Sequence, residues 1–436
     1  MSLTPEQQEL GRRNFMRVLA GTPAVAALAA AAALKGPVRG GPVRVGFIGV
    51  GGQGRTLLEQ TDPQFAEIVA ICDINPLQLG KADESLATTK HPPAKHYADW
   101  QEMIQKEKLE AVVLASPLFT HADIAVACME AGLHVLSEKM MAWDVASCER
   151  IAEAARKNRR VYEVGHQRFY NGVYQAAHEG IVKAGLLGEL YHARLVWHRN
   201  GNWRRHAELP SPDYDASRWG YPSYDHLINW RLYKKYSRGH MAELASHQVA
   251  VAEWFFDATA TAAVGSGGVF RFKDGREIPD HTYVTLEYPG GRTVVFTSIE
   301  SNAFDNYYEA YYGTKGTLVL SGEIDAFFFE EPAAGAKAGS APKATALEVA
   351  AKGTGPVGSA SESRARDAAG GAAGAGTTAR SGDRNLSYRN EISGFCAAVR
   401  TGAPLKCGAA RAFGSARSCI SGFEAMDTQT RIVIKA

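Results

Sequence analysis

The 436-residue sequence lacks the features that mark several large classes of protein. Its six cysteines form no CxxC pair and no metal-ligand spacing, so the sequence indicates neither a zinc cluster nor a disulfide framework. No block of like charges occurs, and a formal net charge of +2 is too small to draw the whole surface to nucleic acid or membrane. No internal repeat is apparent. What is present, 45% hydrophobic and 22% charged residues, is typical of a soluble globular protein of two ordinary domains.

An export-type segment precedes the first domain. Arg12 and Arg13 are followed by a mildly apolar, alanine-rich run over residues 18–34. Twin arginines, a weak apolar core and small residues predict a twin-arginine signal peptide over residues 1–34, cleaved among residues 29–33. A short amphipathic helix or a marginal anchor is the alternative, but an alanine run is too weakly hydrophobic to favour the anchor. We therefore predict a periplasmic or otherwise exported protein with no stable membrane anchor.

The predicted export also affects whether the cysteines can form disulfides. An oxidising compartment leaves open a disulfide among the last three of them, Cys396, Cys407 and Cys419. Otherwise we expect the cysteines to be buried small apolar residues.

A dinucleotide-binding pattern starts at residue 42. An apolar run over residues 42–48 leads directly into a glycine-rich turn and then into a helical pattern. The turn consists of Gly49, Val50, Gly51, Gly52, Gln53 and Gly54. Such glycines allow a tight turn and a close backbone approach to a pyrophosphate at the helix N-terminus. An ordinary glycine turn is the alternative.

The second strand-like run supports the cofactor interpretation. It ends in Asp73, nineteen residues after the last glycine of the turn. A carboxylate there accepts hydrogen bonds from ribose hydroxyls and repels the extra phosphate of NADP. The sequence therefore predicts NAD as the cofactor, with NADP less favoured.

Further strands alternate with helices and predict a doubly wound parallel sheet, a Rossmann domain over residues 42–165. Ligands of such sheets bind beyond the carboxyl ends of the strands. The cofactor-binding residues that we predict there are Ser116, Pro117, His121, Glu138 and Lys139, joined by Arg168 in the segment that follows.

The pattern changes after residue 165. Strand-like runs with period-two alternation predict a predominantly antiparallel sheet in an α+β domain that spans residues 166–330 and 386–436. Between these parts, residues 331–385 are rich in Ala, Gly, Ser and Thr and poor in aromatics. Such a composition cannot bury enough surface to offset the entropy of ordering, so we predict a flexible low-complexity insertion.

A family resemblance emerges from these motifs. The glycine turn, Asp73, ASPLFTH and SEKM, in this order, resemble the glucose-fructose oxidoreductase and inositol dehydrogenase family, Gfo/Idh/MocA. Its members join a Rossmann domain to an open-faced α+β domain, and by analogy we expect a homo-oligomer that covers the open sheet. Glu138 and Lys139 match the first two residues of the family motif EKP, and Met140 replaces the proline. The resemblance implies that Lys139 contacts the nicotinamide and substrate hydroxyls.

Two further candidate catalytic residues lie in the segment HMAELASHQ, which begins at His240. Glu243 and His247 are four residues apart, on one face of a predicted helix. The family carries an Asp and a His at this spacing, which implies that His247 lies near the reacting carbinol and that Glu243 replaces the Asp. A metal site of His240, Glu243 and His247 is an alternative, but HExxH spacing is absent and we predict no metal.

The segment over residues 190–240 combines tryptophans with arginines. Aromatic faces stack on the apolar sides of sugar rings, and guanidinium groups hold hydroxyls or carboxylates. The substrate-binding residues that we predict are Trp197, Arg199, Trp203, Trp230 and Arg231. The alternative is a loop-rich domain interface; as a group, the residues favour a carbohydrate or glycoside ligand.

Together these features predict an exported NAD(P)-dependent oxidoreductase that acts on a sugar, polyol or glycoside hydroxyl. His247 takes the hydroxyl proton, and Lys139 hydrogen-bonds the developing oxyanion. Because free nicotinamide cofactor is not replenished outside the cytoplasm, we expect a tightly held cofactor that is recycled in place. A redox-neutral NAD-dependent glycosidase is one alternative, with His198, His206 and Tyr224 as equal candidates for its added base. A non-catalytic sugar-binding protein is the other.

Overall fold

Two sheets organise the chain, and a separate helix, α1 (Pro5–Ala20), precedes both. The computed structural model describes residues 3–20, 40–89, 91–206, 208–332 and 384–435. Residues 21–34 of the predicted signal peptide, which are most of its apolar run, lie outside the described residues, and so does almost all of the predicted insertion at residues 331–385.

The first sheet is parallel, with the strand order β3-β2-β1-β4-β5-β6. Its strands are β1 (Val43–Ile48), β2 (Ala66–Cys72), β3 (Lys95–Tyr97), β4 (Ala111–Leu114), β5 (His134–Glu138) and β6 (Tyr162–Gly165). The connecting helices are α2 (Gly52–Gln60), α3 (Pro76–Ala87), α4 (Trp100–Lys106), α5 (His121–Glu130) and α6 (Val145–Asn158). This order is the doubly wound dinucleotide-binding topology, so the predicted Rossmann sheet is confirmed.

Burial explains why these strands are nearly continuous apolar runs. All four residues of β4 are buried, and so are five of the six residues of β1, because helices cover both faces of the sheet. Polar caps place the helices: Asn75 accepts from the N–H of Leu77 at 3.0 Å at the start of α3. Asp144 accepts from the N–H of Ser147 at 2.7 Å at the start of α6.

The second sheet has eight strands in the order β13-β12-β11-β7-β10-β9-β8-β14. Its strands are β7 (Leu190–His198), β8 (Ala262–Gly268), β9 (His281–Tyr288), β10 (Arg292–Ile299), β11 (Tyr307–Gly313), β12 (Gly316–Ser321), β13 (Asp325–Glu330) and β14 (Ile432–Val433). Neighbours are antiparallel except β7 and β10, which pair in parallel, so the predominantly antiparallel sheet is confirmed in a mixed form.

The remaining helices pack around the sheets. The α-helices are α7 (Gly172–Ala177), α8 (Tyr224–Ile228), α9 (Ser246–Phe256), α10 (Arg384–Thr401) and α11 (Ala409–Thr428). Short 3₁₀ segments span Leu118–Thr120, Gln167–Tyr170, Ala216–Trp219, Trp230–Leu232 and Pro289–Gly291, and π-helical turns span His178–Val182 and Met241–Ala245. Helices α9 and α11 pack against each other, and α11 also contacts β8 and β9.

Helix α10 packs differently from the expectation, which assigned residues 386–436 to the second domain. Its apolar residues Tyr388, Ile392, Phe395 and Cys396 are buried in one cluster with the Rossmann strands. The physical reason is that α10 covers an apolar face of the parallel sheet, whereas α11 covers the second sheet.

All six cysteines are buried and free, so the disulfide left open among the last three is not formed. Within the residues that the structure describes, no helix combines the length and apolarity needed to cross a membrane.

Candidate functional site

The glycine turn is shaped by close backbone contacts. Gly49 has φ +85°, and a Cβ there would lie 2.7 Å from the backbone of Ala115 and Ser116. A Cβ at Gly54 would lie 2.0 Å from the carbonyl oxygen of Gly49. A Cβ at Gly51, by contrast, meets nothing within 4 Å. The first and last glycines are therefore required by packing, whereas Gly51 faces open space at the N-terminus of α2.

That open space fits a dinucleotide. Gly51 is the N-cap of α2 and provides no side-chain hydrogen bond to the first turn. Backbone N–H groups at such a helix start bind phosphate. The cradle in front of Gly51 therefore suits the pyrophosphate of NAD.

Asp73 lies beside this turn, after the end of β2. Its carboxylate accepts hydrogen bonds from the N–H of Val50 at 3.0 Å and from the N–H of Asn75 at 2.9 Å. Burial raises the pKa of Asp73 to about 6. The two amides fix the carboxylate at the carboxyl edge of the sheet, where it has lone pairs left for ribose hydroxyls.

The end of β5 is tied to the glycine turn. Glu138 accepts from Gln53 Nε2 at 2.7 Å, and its other oxygen accepts from the N–H of Lys139 at 3.0 Å. Burial raises the pKa of Glu138. Met140 stands where the family has proline, and the Lys139–Met140 peptide bond is cis.

Lys139 reaches from β5 to the turn that precedes α9. Its Nζ donates to the carbonyl oxygens of Glu243 at 2.8 Å and Ala242 at 3.3 Å. Burial lowers the pKa of Lys139. The Glu243 carboxylate points elsewhere and accepts from Arg231 Nε at 2.7 Å. Burial by itself would raise the pKa of Glu243, but Arg231 and Lys139 lower it overall.

His247 completes the group from the first turn of α9. Its side chain is 9% exposed, and its ring centroid lies 5.8 Å from that of Trp197 and 6.3 Å from that of His166. Lys139, Glu243 and His247 line one cleft. The other lining residues are Gln53, Ala115, Ser116, Leu118, His121, Glu138, Gln167, Trp197, Trp230, Arg231, Leu244, Glu323 and Tyr388.

Arg168, Arg199 and Trp203 are predicted site residues that are buried and do not line this cleft. Arg168 is 1% exposed and donates to Glu323 at 2.8 and 3.0 Å and to Glu309, because a buried guanidinium needs carboxylate partners. Arg199 lies 3.4 Å from Glu300. Trp203, also buried, packs against Arg199 at 4.2 Å. All three belong to buried clusters behind the cleft rather than to its lining.

Two predicted residues, His121 and Pro117, lie in the segment that follows β4. The ring of His121 reaches the cleft, but its nitrogens lie 3.0 Å from the carbonyl oxygen of Ser116 and 3.1 Å from that of Met140. It therefore joins the loops that follow β4 and β5. Pro117 begins the 3₁₀ turn between Ser116 and the lining residue Leu118.

The candidate metal ligands are not brought together. His240 Nδ1 lies 3.0 Å from Thr282 Oγ1, its Nε2 lies 3.1 Å from Glu300, and Glu243 pairs with Arg231 instead. In the described ranges, no cluster of three or more His, Cys, Asp or Glu side chains is arranged to hold a metal ion.

The candidate added bases also lie elsewhere. His198 Nε2 lies 3.0 Å from Thr297 Oγ1, His206 is exposed, and the Tyr224 hydroxyl donates to the carbonyl of Glu208 at 2.9 Å. None of the three lines the cleft.

Four polar residues of the site were missed by sequence reasoning. Gln167, Glu323 and Tyr388 line the cleft, and His166 packs edge to face on His247. Burial, with a contribution from the Lys139 charge, lowers the pKa of His166 to about 3, so its imidazole is neutral. A strand-end rule applied to β6 would have found His166 and Gln167; Glu323 and Tyr388 carry no local signal.

The parallel sheet, the glycine turn and the acid after β2 define a dinucleotide-binding Rossmann protein with a second sheet domain. Residues 43–166 match the oxidoreductase family with an NAD-binding Rossmann fold, and residues 174–319 match the GFO/IDH/MocA C-terminal domain. The chain belongs to the Gfo/Idh/MocA family.

Curated relatives match mainly over part of their length. An α-N-acetylgalactosaminidase of Shewanella oneidensis is 30% identical over 179 residues, which cover 37% of this chain and 39% of the relative. An inositol 2-dehydrogenase of Salmonella typhimurium is 30% identical over 180 residues, 40% of this chain and 51% of the relative. A glycosyl hydrolase family 109 protein of Phocaeicola vulgatus is 30% identical over 155 residues, which cover 35% of this chain and 37% of the relative. The chain thus spans about two fifths to one half of these relatives.

Solved structures share the whole fold. The WlbA dehydrogenase of Bordetella pertussis, in complex with NADH and UDP-GlcNAcA, superimposes with a TM-score of 0.65 at 18% identity, covering 91% of this chain and 99% of that one. The scyllo-inositol dehydrogenase of Lactobacillus casei, with NAD(H) and scyllo-inositol, has a TM-score of 0.64 at 14% identity, covering 91% and 100%. At these identities the likeness concerns the fold.

Proposed function

We propose that the protein is an NAD-dependent oxidoreductase that acts on a hydroxyl of a sugar, polyol or glycoside. One observation carries the proposal: Lys139 and His247 line the same cleft as Gln53 of the glycine turn. A hydroxyl held between these side chains also lies next to the place where the turn receives a dinucleotide. The named relatives, a sugar hydrolase and a polyol dehydrogenase among them, support this substrate class.

The cofactor and three residues of the chain have separate roles in the proposed reaction. Bound NAD supplies the hydride acceptor. His247 takes the proton of the substrate hydroxyl, a role that suits an imidazole near neutral pH. Lys139 Nζ donates a hydrogen bond to the same oxygen as negative charge develops on it. Asp73 favours NAD over NADP, because its carboxylate repels a 2′-phosphate.

Trp197, Trp230 and Arg231 form the substrate wall of the cleft. The Arg231 guanidinium stacks over the Trp230 ring at 4.2 Å while its Nε holds Glu243. A fixed indole face offers a stacking surface for a sugar ring, and the remaining guanidinium N–H groups can bind hydroxyls.

A redox-neutral glycosidase is the second candidate, and Glu138 favours it. Elimination of an aglycone needs a further proton carrier, and Glu138 is a carboxyl group with a raised pKa in the same cleft. Glu138 therefore replaces His198, His206 and Tyr224, which do not line the cleft, as the candidate for this proton carrier. The relatives named as a glycosyl hydrolase family 109 protein and as an α-N-acetylgalactosaminidase support this second candidate.

We also propose export through the twin-arginine route, a tightly held cofactor and a homo-oligomeric assembly. The twin arginines at the start of the chain support export, since that route is read by a receptor that recognises the pair. A cofactor carried with the protein would then have to be recycled in place, by reducing a second substrate or the intermediate itself.

Two measurements test the function. Denaturation of the purified protein should release NAD, identified by mass spectrometry; release of no nucleotide contradicts a held cofactor. NMR of products from a panel of free sugars and aryl glycosides separates the alternatives. An oxidised and a reduced sugar indicate the oxidoreductase, a cleaved glycoside indicates the glycosidase, and no turnover indicates a sugar-binding protein.

A further inference from the structure

The N-terminal helix α1 begins with a reciprocal cap. The N–H of Thr4 donates to Gln7 Oε1 at 2.9 Å, and the N–H of Gln7 donates to Thr4 Oγ1 at 3.2 Å. Pro5 takes the first helical position, where its missing N–H leaves no bond unmade. A well-defined helix therefore carries both Arg12 and Arg13 of the predicted export signal.

One side of α1 is buried against the folded chain. Phe15 is 6% exposed and Leu19 is 1% exposed. A Cβ at Gly11 would lie 2.7 Å from the Phe329 ring and 2.8 Å from the Cβ of Phe327. Both phenylalanines belong to β13, the edge strand of the second sheet. Gly11 thus permits an approach to β13 that a larger residue would prevent.

Charges align α1 along the same strand. Arg12 Nη2 lies 3.0 Å from Asp325 Oδ1, with its guanidinium 5.6 Å from the centre of the Phe327 ring. Arg17 Nη2 lies 3.2 Å from Glu330 Oε1. Asp325 and Glu330 are the first and last residues of β13. Because exposed ion pairs contribute little energy, the apolar contacts hold the helix and the ion pairs set its register.

We propose that β13 is a binding surface for the chain's own export-signal helix, and that the bound helix is withheld from the export receptor. The inference rests on the proposed export. In the bound form Arg12 is paired with Asp325 and Phe15 is buried, so two side chains of the signal are engaged by the folded domain. Presentation of the signal then requires α1 to leave β13.

Residues of β13 determine how often α1 is released, although they are more than three hundred residues from α1 in the sequence. Changes on the strand should therefore alter export while the signal sequence stays intact.

Limited trypsin digestion of the full-length precursor tests the binding surface. Cleavage after Arg12, Arg13 or Arg17 needs local opening of the helix, so its rate reports release of α1. Asp325→Ala with Glu330→Ala should speed this cleavage about threefold or more, and Gly11→Leu about tenfold or more. The control, Asp213→Ala with Glu331→Ala, removes two exposed acids that form no ion pair with α1 in the described part of the chain.

Rescue and export complete the test. Arg17→Glu should speed cleavage after Arg12 and Arg13, the two sites that this variant keeps. The added change Glu330→Arg should slow cleavage at the same two sites again, because the ion pair is restored with reversed charges. Equal cleavage rates in all variants would overturn the binding surface. In pulse–chase export, Asp325→Ala with Glu330→Ala should reach the periplasm about two- to threefold faster than the control.

The two proposals fail in different ways. If cleavage is faster but export is unchanged, β13 still binds α1, but the proposal that binding withholds the signal from the export receptor is wrong. Absence of export for every variant, the unaltered precursor included, contradicts the export proposal and the withholding with it, while the trypsin rates still decide whether β13 binds α1.

Discussion

Lys139 is held by two carbonyl oxygens rather than by a carboxylate. An ammonium group has three donors, so one N–H remains for the oxygen of a substrate. Glu243, which stands where the family has Asp, turns its carboxylate to Arg231, while its backbone carbonyl accepts from Lys139. Residue 243 therefore links the lysine to Arg231 in the cleft wall.

At this scale the first prediction concerns Lys139 and His247. His247→Ala should lower turnover by roughly 10²- to 10⁴-fold, the usual worth of a positioned proton acceptor, with bound nucleotide retained. Lys139→Met, similar in length but uncharged, should also lower turnover and loosen the nucleotide. The two losses should be strongly non-additive, since both groups act on one hydroxyl. Steady-state kinetics of the four proteins measure this; simple multiplication of the two losses would contradict it.

The second prediction concerns Asp73. Asp73→Ala removes both the acceptor for the ribose hydroxyls and the charge that repels a 2′-phosphate. We expect weaker NAD binding and a smaller preference for NAD over NADP. Titration of the nucleotide-free protein with each dinucleotide checks the result, and an unchanged ratio of the two dissociation constants would refute the assignment.

At the scale of elements, the site is built where strands and helices end. The glycine turn after β1 and the Glu138–Lys139 end of β5 lie on one edge of the parallel sheet. The π-helical turn Met241–Ala245 precedes α9 and directs the carbonyls of Ala242 and Glu243 at Lys139. Such irregular turns are frequent at functional sites, because they release backbone groups from the helix.

A matched pair of substitutions tests the turn. Gly54→Ala places a Cβ 2.0 Å from the Gly49 carbonyl, so the turn must move; we expect a loss of stability of about 1–3 kcal/mol. Gly51→Ala meets no atom within 4 Å and should leave the melting temperature of the nucleotide-free protein unchanged. It should still weaken NAD binding by filling the pyrophosphate cradle. Thermal unfolding and NAD titration separate the two effects, and equal stability losses would be evidence against this account.

The whole molecule forms the cleft from parts that are distant in sequence. The Rossmann sheet contributes Gln53 and Lys139, the helix beside the second sheet contributes His247, and α10 contributes Tyr388. Glu323 comes from the turn between β12 and β13. The cleft therefore depends on the docking of both domains and on the return of the chain to the Rossmann sheet.

Buried carboxyl groups make stability depend on pH. Burial raises the pKa of Glu253, which accepts from Ser418 Oγ at 2.5 Å, to about 8. A raised folded-state pKa adds stability that is complete below the unfolded value near 4.5 and is lost as pH rises to about 8. Relative to Glu253→Gln, the protein should lose at most about 5 kcal/mol across this window, at 1.36 kcal/mol per pKa unit. Urea unfolding of both proteins at several pH values measures this loss; a difference that stays constant with pH would count against a raised pKa of Glu253.

Export can be tested on the whole precursor. Arg12→Lys with Arg13→Lys keeps the charge, and therefore the attraction to Asp325, but removes the pair that the receptor recognises. We expect the precursor to stay in the cytoplasm. Cell fractionation with immunodetection measures this, and normal periplasmic accumulation would argue against a twin-arginine signal.

Much of the architecture was determined by local sequence. Alternating apolar strands and helices predicted the parallel sheet, because each pattern depends on residues only a few positions apart. The shared position of the glycine turn, Asp73 and Lys139 could be predicted for the same reason: each adjoins a strand end, and parallel strands bring their carboxyl ends to one edge.

Only the tertiary structure decided which charged and aromatic side chains reach the cleft. Arg168 adjoins β6 but is drawn inward by Glu309 and Glu323, more than one hundred residues away. Arg231 lies in the same kind of sequence context as Arg199, yet it faces the cleft because Glu243 holds it there. The position of each of these arginines depends on sheet register and domain docking. A buried charge needs a partner of opposite charge, and that partner is distant in sequence, so no local pattern predicts it.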